Sequence, residues 1–370
     1  MSSKKILVVI GTRPNFIKVT QFKKVAGLYK NIDLKIVHTG QHFDEKMADI
    51  FFTQFNLTPD YFLNITPTAS ANIQIAEIII KLENLIKTDF NPDLIIVVGD
   101  VNSTLAAAIT ANKLNIKISH VESGLRSFDK TMPEEHNRVI TDSITNYYLV
   151  TEQSGLDNLL KEGISANNIF FVGNTMIDTM VAFKENIEQS DILNKLQLDF
   201  KKYVLVTMHR PATVDTKEGL LKLLDLITHL SQNNKIVFPV HPRTLKNIEN
   251  LNLASRFEKI SELIFTQPLD YFSFQKLIKE SKFILTDSGG IQEESTFLQI
   301  PCLTLRPNTE RPVTCSEGTN TLIPFDLEII KSYILQIENG SYKKGTIPKF
   351  WDGKATERIF SELTTVFSKM

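Results

Sequence analysis

The stretch Thr286-Asp-Ser-Gly-Gly-Ile-Gln-Glu-Glu294 carries the residue types of an anion site. It follows the short apolar run Phe283-Ile-Leu285 and opens a segment with helical spacing, so a helix is expected to start where the glycines stand. Gly289 and Gly290 have no Cβ, which lets a ligand approach the backbone. Ser288 offers a hydroxyl, and the unpaired N–H groups and dipole of a helix start favour an anion. Glu293 and Glu294 are expected in the first turn, within reach of sugar hydroxyls. This chemistry suits a phosphorylated, hydroxyl-rich ligand. A plain strand-to-helix turn explains Ser-Gly-Gly equally well, and the rest of the chain decides.

Other candidates stand where apolar runs end: Arg13, Asp100, Glu122, His209, His241, Arg243 and Arg311. In open parallel sheets, ligands bind beyond the carboxyl ends of the strands. Arginines there can grip phosphate oxygens bidentately. Asp100, Glu122 and Glu134 or Glu135 suit proton transfer at a sugar carbon or hydroxyl. Each has a plainer reading. Asp100 can cap a helix, Glu134 and Glu135 can serve a helix dipole, and His209 can be a core histidine. His241 and Arg243 can cap and brace a helix, while Arg126 and Arg138 can pair with acids.

The elements that must position these groups alternate. Ile6–Ile10, Leu34–His38, Leu94–Val98, Ile116–Val121 and Tyr147–Val150 read as strands, with helices between them that include 70–88 and 103–114. Several of the strands are continuous apolar runs, as in sheets covered on both faces. After a polar helical stretch at 174–202 the alternation restarts with Tyr203–Thr207, Lys235–Val240, Leu263–Phe265, Phe283–Leu285 and Pro301–Leu305. The expected fold is α/β, with two Rossmann-like doubly wound domains facing a cleft. Their expected bounds are 1–173, joined by a C-terminal helix at 354–370, and 174–353.

A chain of 370 residues suits two domains, and its 42% hydrophobic and 22% charged residues suit a soluble protein. The formal net charge of −1, without a long basic block, argues against nucleic acid and membrane surfaces as partners. No run approaches the roughly eighteen apolar residues of a membrane span, and Met1–Lys5 leads directly into a strand-like run rather than a signal peptide. Cys302 and Cys315, the only cysteines, have no metal-ligand spacing and fit a reducing cytosol.

With these residues assembled, the chain resembles the non-hydrolysing UDP-N-acetylglucosamine 2-epimerases along nearly its whole length. The matching stretches are Gly11-Thr-Arg-Pro14, Thr39-Gly-Gln-His42, Gly99-Asp100, His120-Val-Glu-Ser-Gly-Leu-Arg126 and Pro133-Glu-Glu-His-Asn-Arg138. They continue with His209-Arg210, His241-Pro-Arg243, Asp287–Glu294 and Thr309-Glu-Arg-Pro312. The resemblance implies the two-domain fold of GT-B glycosyltransferases, a cytoplasmic homodimer, and interconversion of UDP-GlcNAc and UDP-ManNAc without metal or nicotinamide. It implies Asp100, Glu122, Glu134 and His209 as acid/base groups. It also implies Arg13, Ser288, Gly289, Gly290 and Arg311 around the diphosphate, with Lys18, Gln267, Phe272 and Glu294 as further nucleotide and sugar contacts.

Some residues depart from the family pattern. Asn15-Phe16 resembles the related 2-epimerases that act on UDP-2,3-diacetamido-glucuronic acid, as do Asn102-Ser-Thr104 and Ser127-Phe128, whereas Thr309-Glu-Arg-Pro312 resembles the UDP-GlcNAc enzymes. Phe43-Asp-Glu-Lys-Met47 replaces a run that lies near an allosteric site in many bacterial members. A GT-B glycosyltransferase and a nucleotide-sugar hydrolase are the competing activities. A transferase typically needs one base and an acceptor site, whereas this chain carries acids on three segments and a histidine.

Overall fold

The computed structural model describes residues 3–41 and 51–368. The expectation for Phe43–Met47 falls on residues 42–50, outside the described residues. The chain forms two compact units, Met1–Ala182 with Lys349–Met370, and Phe183–Pro348.

Unit 1 is built on seven parallel strands: β1 (Lys4–Ile10), β2 (Ile32–His38), β3 (Tyr61–Phe62), β4 (Leu94–Val98), β5 (Lys117–Val121), β6 (Tyr147–Val150) and β7 (Ile169–Phe171). Their order is β3-β2-β1-β4-β5-β6-β7. Unit 2 repeats the plan with β8 (Tyr203–Thr207), β9 (Lys235–Pro239), β10 (Leu263–Thr266), β11 (Phe283–Thr286), β12 (Cys302–Leu305) and β13 (Asn320–Ile323). Their order is β10-β9-β8-β11-β12-β13. Both are doubly wound α/β sheets, as the alternation of apolar runs predicts.

The strand order reverses between β1 and β4 in one sheet and between β8 and β11 in the other, with Val9 opposite Val97 and Thr286 opposite Thr207. At such a reversal the flanking helices leave on opposite faces, opening a crevice beyond the strand ends. Arg13 and Asp100 follow β1 and β4; His209 and Ser288 follow β8 and β11.

β4, β8 and β11 are buried along their whole lengths, which their unbroken apolar sequences require. β3, β7 and β13 were not evident in the sequence. They are two to four residues long, lie at sheet edges and are half-buried in part, so they leave little apolar signature.

The first unit extends to Ala182 rather than 173, because the helix Thr175–Ala182 is built into it. Thr179 Oγ1 donates to the Ile17 carbonyl at 2.5 Å, and the Asp178 carboxylate accepts the N–H groups of Ala355 and Thr356 at 3.0 and 2.6 Å. The helix Ala355–Ser368 starts on that cap and packs Phe360 edge-on against Phe22, with ring centroids 5.7 Å apart. Among the described residues, no helix is long and apolar enough to cross a membrane.

Candidate active site

In unit 1 the site residues leave the strands in tight turns. Gly11 ends β1 where a Cβ would stand 2.0 Å from Ser103 Oγ, so only glycine fits. Pro14 then starts the short helix Arg13–Lys18. Lys18 and Glu122 are both buried, and Lys18 Nζ donates to Glu122 Oε2 at 2.6 Å. Glu122 holds a left-handed backbone, φ 72°, that a residue with a Cβ seldom adopts. Its second oxygen, Oε1, is buried without a hydrogen-bond partner among the described residues. Gly99 turns at φ +68° so close to this pair that a Cβ would be 3.3 Å from Glu122 Oε2 and 3.6 Å from Lys18 Nζ.

Asp100 does not cap the following helix, Asn102–Lys113, whose N-cap is Val101. Instead the Arg138 guanidinium donates to Asp100 Oδ2 at 2.5 Å, and Asn137 Nδ2 donates to its carbonyl at 2.9 Å. Arg138 also pairs with Glu135 at 2.8 Å. Glu135 is buried and further accepts the Ser127 N–H and hydroxyl and the Phe128 N–H, all at 2.9 Å, which makes it a brace for the 127–128 loop. Its neighbour Glu134 is exposed at the start of the helix Pro133–Ile144. Of the two candidates Glu134 and Glu135, only Glu134 is open to a ligand. The Arg13 guanidinium lies 4.3 Å over the Phe51 ring.

In unit 2 the carboxylate that organises the site is Asp287, quoted in the motif but given no role from sequence. It is fully buried, accepts the His209 and Arg210 N–H groups at 3.0 and 2.9 Å, and lies 2.9 Å from His209 Nδ1. Burial alone would raise its pKa, but the His209 ring and the two backbone N–H groups hold it below the ordinary carboxylate value. It therefore fixes a half-exposed His209 with Nδ1 turned inward. His241 does cap a helix, its Nδ1 accepting from Arg243 N at 3.2 Å. Burial, then His209 and Arg243, lower its pKa. Arg243 pairs with Asp215.

The glycine turn begins the helix Gly289–Phe297, with Ser288 as N-cap making no side-chain cap bond. A Cβ on Gly289 would come within 2.9 Å of Glu310 Oε1 and 3.1 Å of Arg311 Nη1. Behind it runs a buried chain of alternating charge. Arg306 Nη2 pairs with Glu310 at 3.0 Å, Glu310 with Arg311, and Arg311 Nε with Glu293 at 2.8 Å. The expectation that Glu293 and Glu294 occupy the first turn is therefore corrected, and Glu293 does not face a sugar. The helix starts at Gly289, both acids lie beyond its first turn and are buried, and Glu293 is committed to Arg311. Gln267 is exposed just after β10, and Phe272 is half-buried with its ring 5.5 Å from Phe183.

Thus unit 1 joins Lys18 to Glu122 beside Gly99 and ties Asp100 to Arg138, while unit 2 gathers His209, Asp287, Ser288, Gly289 and Arg311 around the ends of β8 and β11. Asp287 and Glu310 stand in the matched motifs without a role evident from sequence, and Arg306 gave no signal. For Asp287 the signal was present, since an acid directly before Ser-Gly-Gly lies one strand from His209.

A family model for UDP-N-acetylglucosamine 2-epimerase matches residues 27–364. The chain belongs to the UDP-N-acetylglucosamine 2-epimerase family. It is thereby an isomerase. The UDP-N-acetylglucosamine 2-epimerase of Methanocaldococcus jannaschii is 39% identical over 97% of this chain and 99% of its own. The crystal structure of that epimerase in complex with UDP-GlcNAc and UDP superposes with a TM-score of 0.87, covering 98% of this chain and 99% of the other. The UDP-2,3-diacetamido-2,3-dideoxy-D-glucuronate 2-epimerase of Pseudomonas aeruginosa is 36% identical over 86% of this chain and 88% of its own. Asn15 and Phe16, whose types resemble that second group, are both buried. Asn15 donates to the Val98 carbonyl at 3.0 Å and accepts from the Thr12 hydroxyl at 3.0 Å, and Phe16 packs on Phe52 and Phe55. Asn15 thus joins the ends of β1 and β4.

Proposed function

We propose that the chain interconverts UDP-GlcNAc and UDP-ManNAc by eliminating UDP and adding it back. The observation that carries this reading is the 39% identity, over nearly the full length, with an epimerase whose crystal structure holds UDP-GlcNAc and UDP. The proton at C2 of the sugar is not next to a carbonyl, so direct removal is too slow. When a base takes it, the C1–O bond breaks and its electron pair leaves with UDP, giving 2-acetamidoglucal. Protonation of C2 from the opposite face and return of the same UDP oxygen to C1 give the epimer, with every atom conserved.

In this reading Asp100, Glu122 and the exposed Glu134 are the acid/base groups of unit 1. Glu122 is the best prepared, with one oxygen on Lys18 and the other unpartnered. In unit 2, His209 moves a proton at its outward nitrogen. The Ser288 hydroxyl, the Gly289 and Gly290 N–H groups and Arg311 take the charge that develops on the leaving diphosphate. Arg13 is a further phosphate cation, and Lys18, Gln267, Phe272 and Glu294 complete the nucleotide and sugar contacts. The second reading, the same chemistry on a UDP-2,3-diacetamido-glucuronic acid, is supported by the Pseudomonas relative.

Proton NMR of the purified protein with UDP-GlcNAc in D2O tests both. Deuterium entering C2 together with a UDP-ManNAc anomeric signal is the expected result. Released ManNAc with stoichiometric UDP would overturn it in favour of a hydrolase. No change with UDP-GlcNAc, but exchange with the diacetamido uronic acid, would establish the second reading.

A further inference from the structure

His120 lies on β5 with no exposed surface, and both of its ring nitrogens are engaged. Nε2 is 2.8 Å from the Gly99 carbonyl oxygen, and Nδ1 is 2.7 Å from Asp142 Oδ1. A carbonyl can only accept, so Nε2 carries the hydrogen of the first bond. Asp142 is itself surrounded by donors. Its Oδ2 accepts the Gly124 N–H at 3.0 Å and the Arg126 guanidinium at 2.7 Å. The Arg126 guanidinium and the Gly124 N–H, both on Oδ2, favour the ionised carboxylate. An ionised carboxylate also only accepts, which leaves Nδ1 as a second donor. The surroundings balance this charge. Asp142 and Glu162 face Arg126 and the ring, with Arg126 held in a fork by Glu162 at 2.8 and 2.9 Å.

The two bonds of the ring reach the two turns that matter. Gly99 immediately precedes Asp100 and lies beside the Lys18–Glu122 pair, where a Cβ would stand 3.3 Å from Glu122 Oε2. Gly124 lies two residues after Glu122, whose own backbone is held at φ 72°. We infer that His120 is a positioning residue, a ring protonated on both nitrogens that ties the Gly99–Asp100 turn through Asp142 to the Glu122–Gly124 turn and so fixes the two carboxylates relative to each other. A neutral core histidine with one satisfied nitrogen would pack as well but would hold only one turn. The inference rests on the reading of Asp100 and Glu122 as reacting groups.

The test has a structural arm and a catalytic one. In the unmodified protein labelled with 15N-histidine, both nitrogens of His120 are expected to show bonded, slowly exchanging hydrogens at neutral pH. A single protonated nitrogen overturns the inference, whether or not any variant folds. In His120→Gln, epimerisation of UDP-GlcNAc is expected to lose about a hundredfold in kcat with KM within about twofold, because the reacting groups are displaced while the nucleotide site of unit 2 is intact. Unchanged kcat, or equal losses through KM, would overturn it. Asp100→Asn and Glu122→Gln are measured alongside. If those variants keep full turnover while the ring signature stands, the catalytic reading of the carboxylates has failed rather than the protonation of the ring.

Discussion

Replacing Asp287 by asparagine separates the two functions of this carboxylate, holding a loop and orienting a ring. One oxygen of Asp287 serves the backbone N–H groups of His209 and Arg210 at 3.0 and 2.9 Å, and the other faces His209 Nδ1 at 2.9 Å. An asparagine oxygen can replace the first oxygen and keep both backbone bonds, which then lose their ionic character. Bonds to a charged group contribute about 1.5–3 kcal/mol and neutral ones about 1, so the expected loss of stability is about 1–3 kcal/mol. The amide nitrogen then faces Nδ1 and donates to it, so the hydrogen of a neutral imidazole moves to the outward nitrogen. A histidine with its hydrogen on the wrong nitrogen loses the roughly 10²–10⁴-fold that a positioned acid or base contributes. The assay is kcat for deuterium incorporation at C2 of UDP-GlcNAc, read beside a urea melt and a UDP titration. Asp287→Asn is expected to fold and bind UDP yet turn over at least a hundredfold more slowly. A folded variant with kcat within threefold of the parent would refute the argument that His209 needs this orientation.

Asp100→Asn is expected to lose roughly 10²–10⁴ in turnover with about 1 kcal/mol or less of stability, since the ion pair with Arg138 is partly exposed on the aspartate side; near-normal turnover would remove Asp100 from the mechanism. Gly289→Ala sets about 0.5–1 kcal/mol of helix propensity against a Cβ 2.9 Å from Glu310 Oε1 and 3.1 Å from Arg311 Nη1. Both neighbours are side-chain ends that can shift, so stability should hardly change while UDP affinity by calorimetry falls. An unaltered affinity would place Arg311 outside the phosphate site. Burial lowers the His38 pKa from 6.5 to about 4. Between these values the unfolded chain binds a proton that the folded one does not, so stability is fully present above about 6.5 and is lost towards pH 4, by about 3 kcal/mol. Urea melts across that range should show the loss and His38→Asn should flatten it; equal slopes in the two proteins would refute it.

The sequence by itself determined the architecture and where the candidate site residues stand on it. Strands covered on both faces must be apolar throughout, so runs such as Leu94–Val98 and Tyr203–Thr207 announce a parallel sheet, and the residues after them necessarily collect at its carboxyl edge. Asp100, Glu122, His209 and Ser288 were legible for that reason, being polar residues at the ends of buried strands. The edge strands β3, β7 and β13 were not legible, because a strand with one neighbour and partial exposure needs no long apolar run. Tertiary structure alone decided what each polar group is paired with. Glu134 and Glu135 are adjacent and chemically alike, yet one is exposed and the other is spent on Arg138 and the 127–128 loop. Glu293 was expected to meet a sugar and is turned to Arg311 instead, while Asp287 and His120 bond to partners 78 and 22 residues away. A carboxylate can accept from whatever donor the fold brings near it, and residue type does not encode which donor that is. Side-chain pairing across strands is set by register and burial, and these exist only once the sheets have formed.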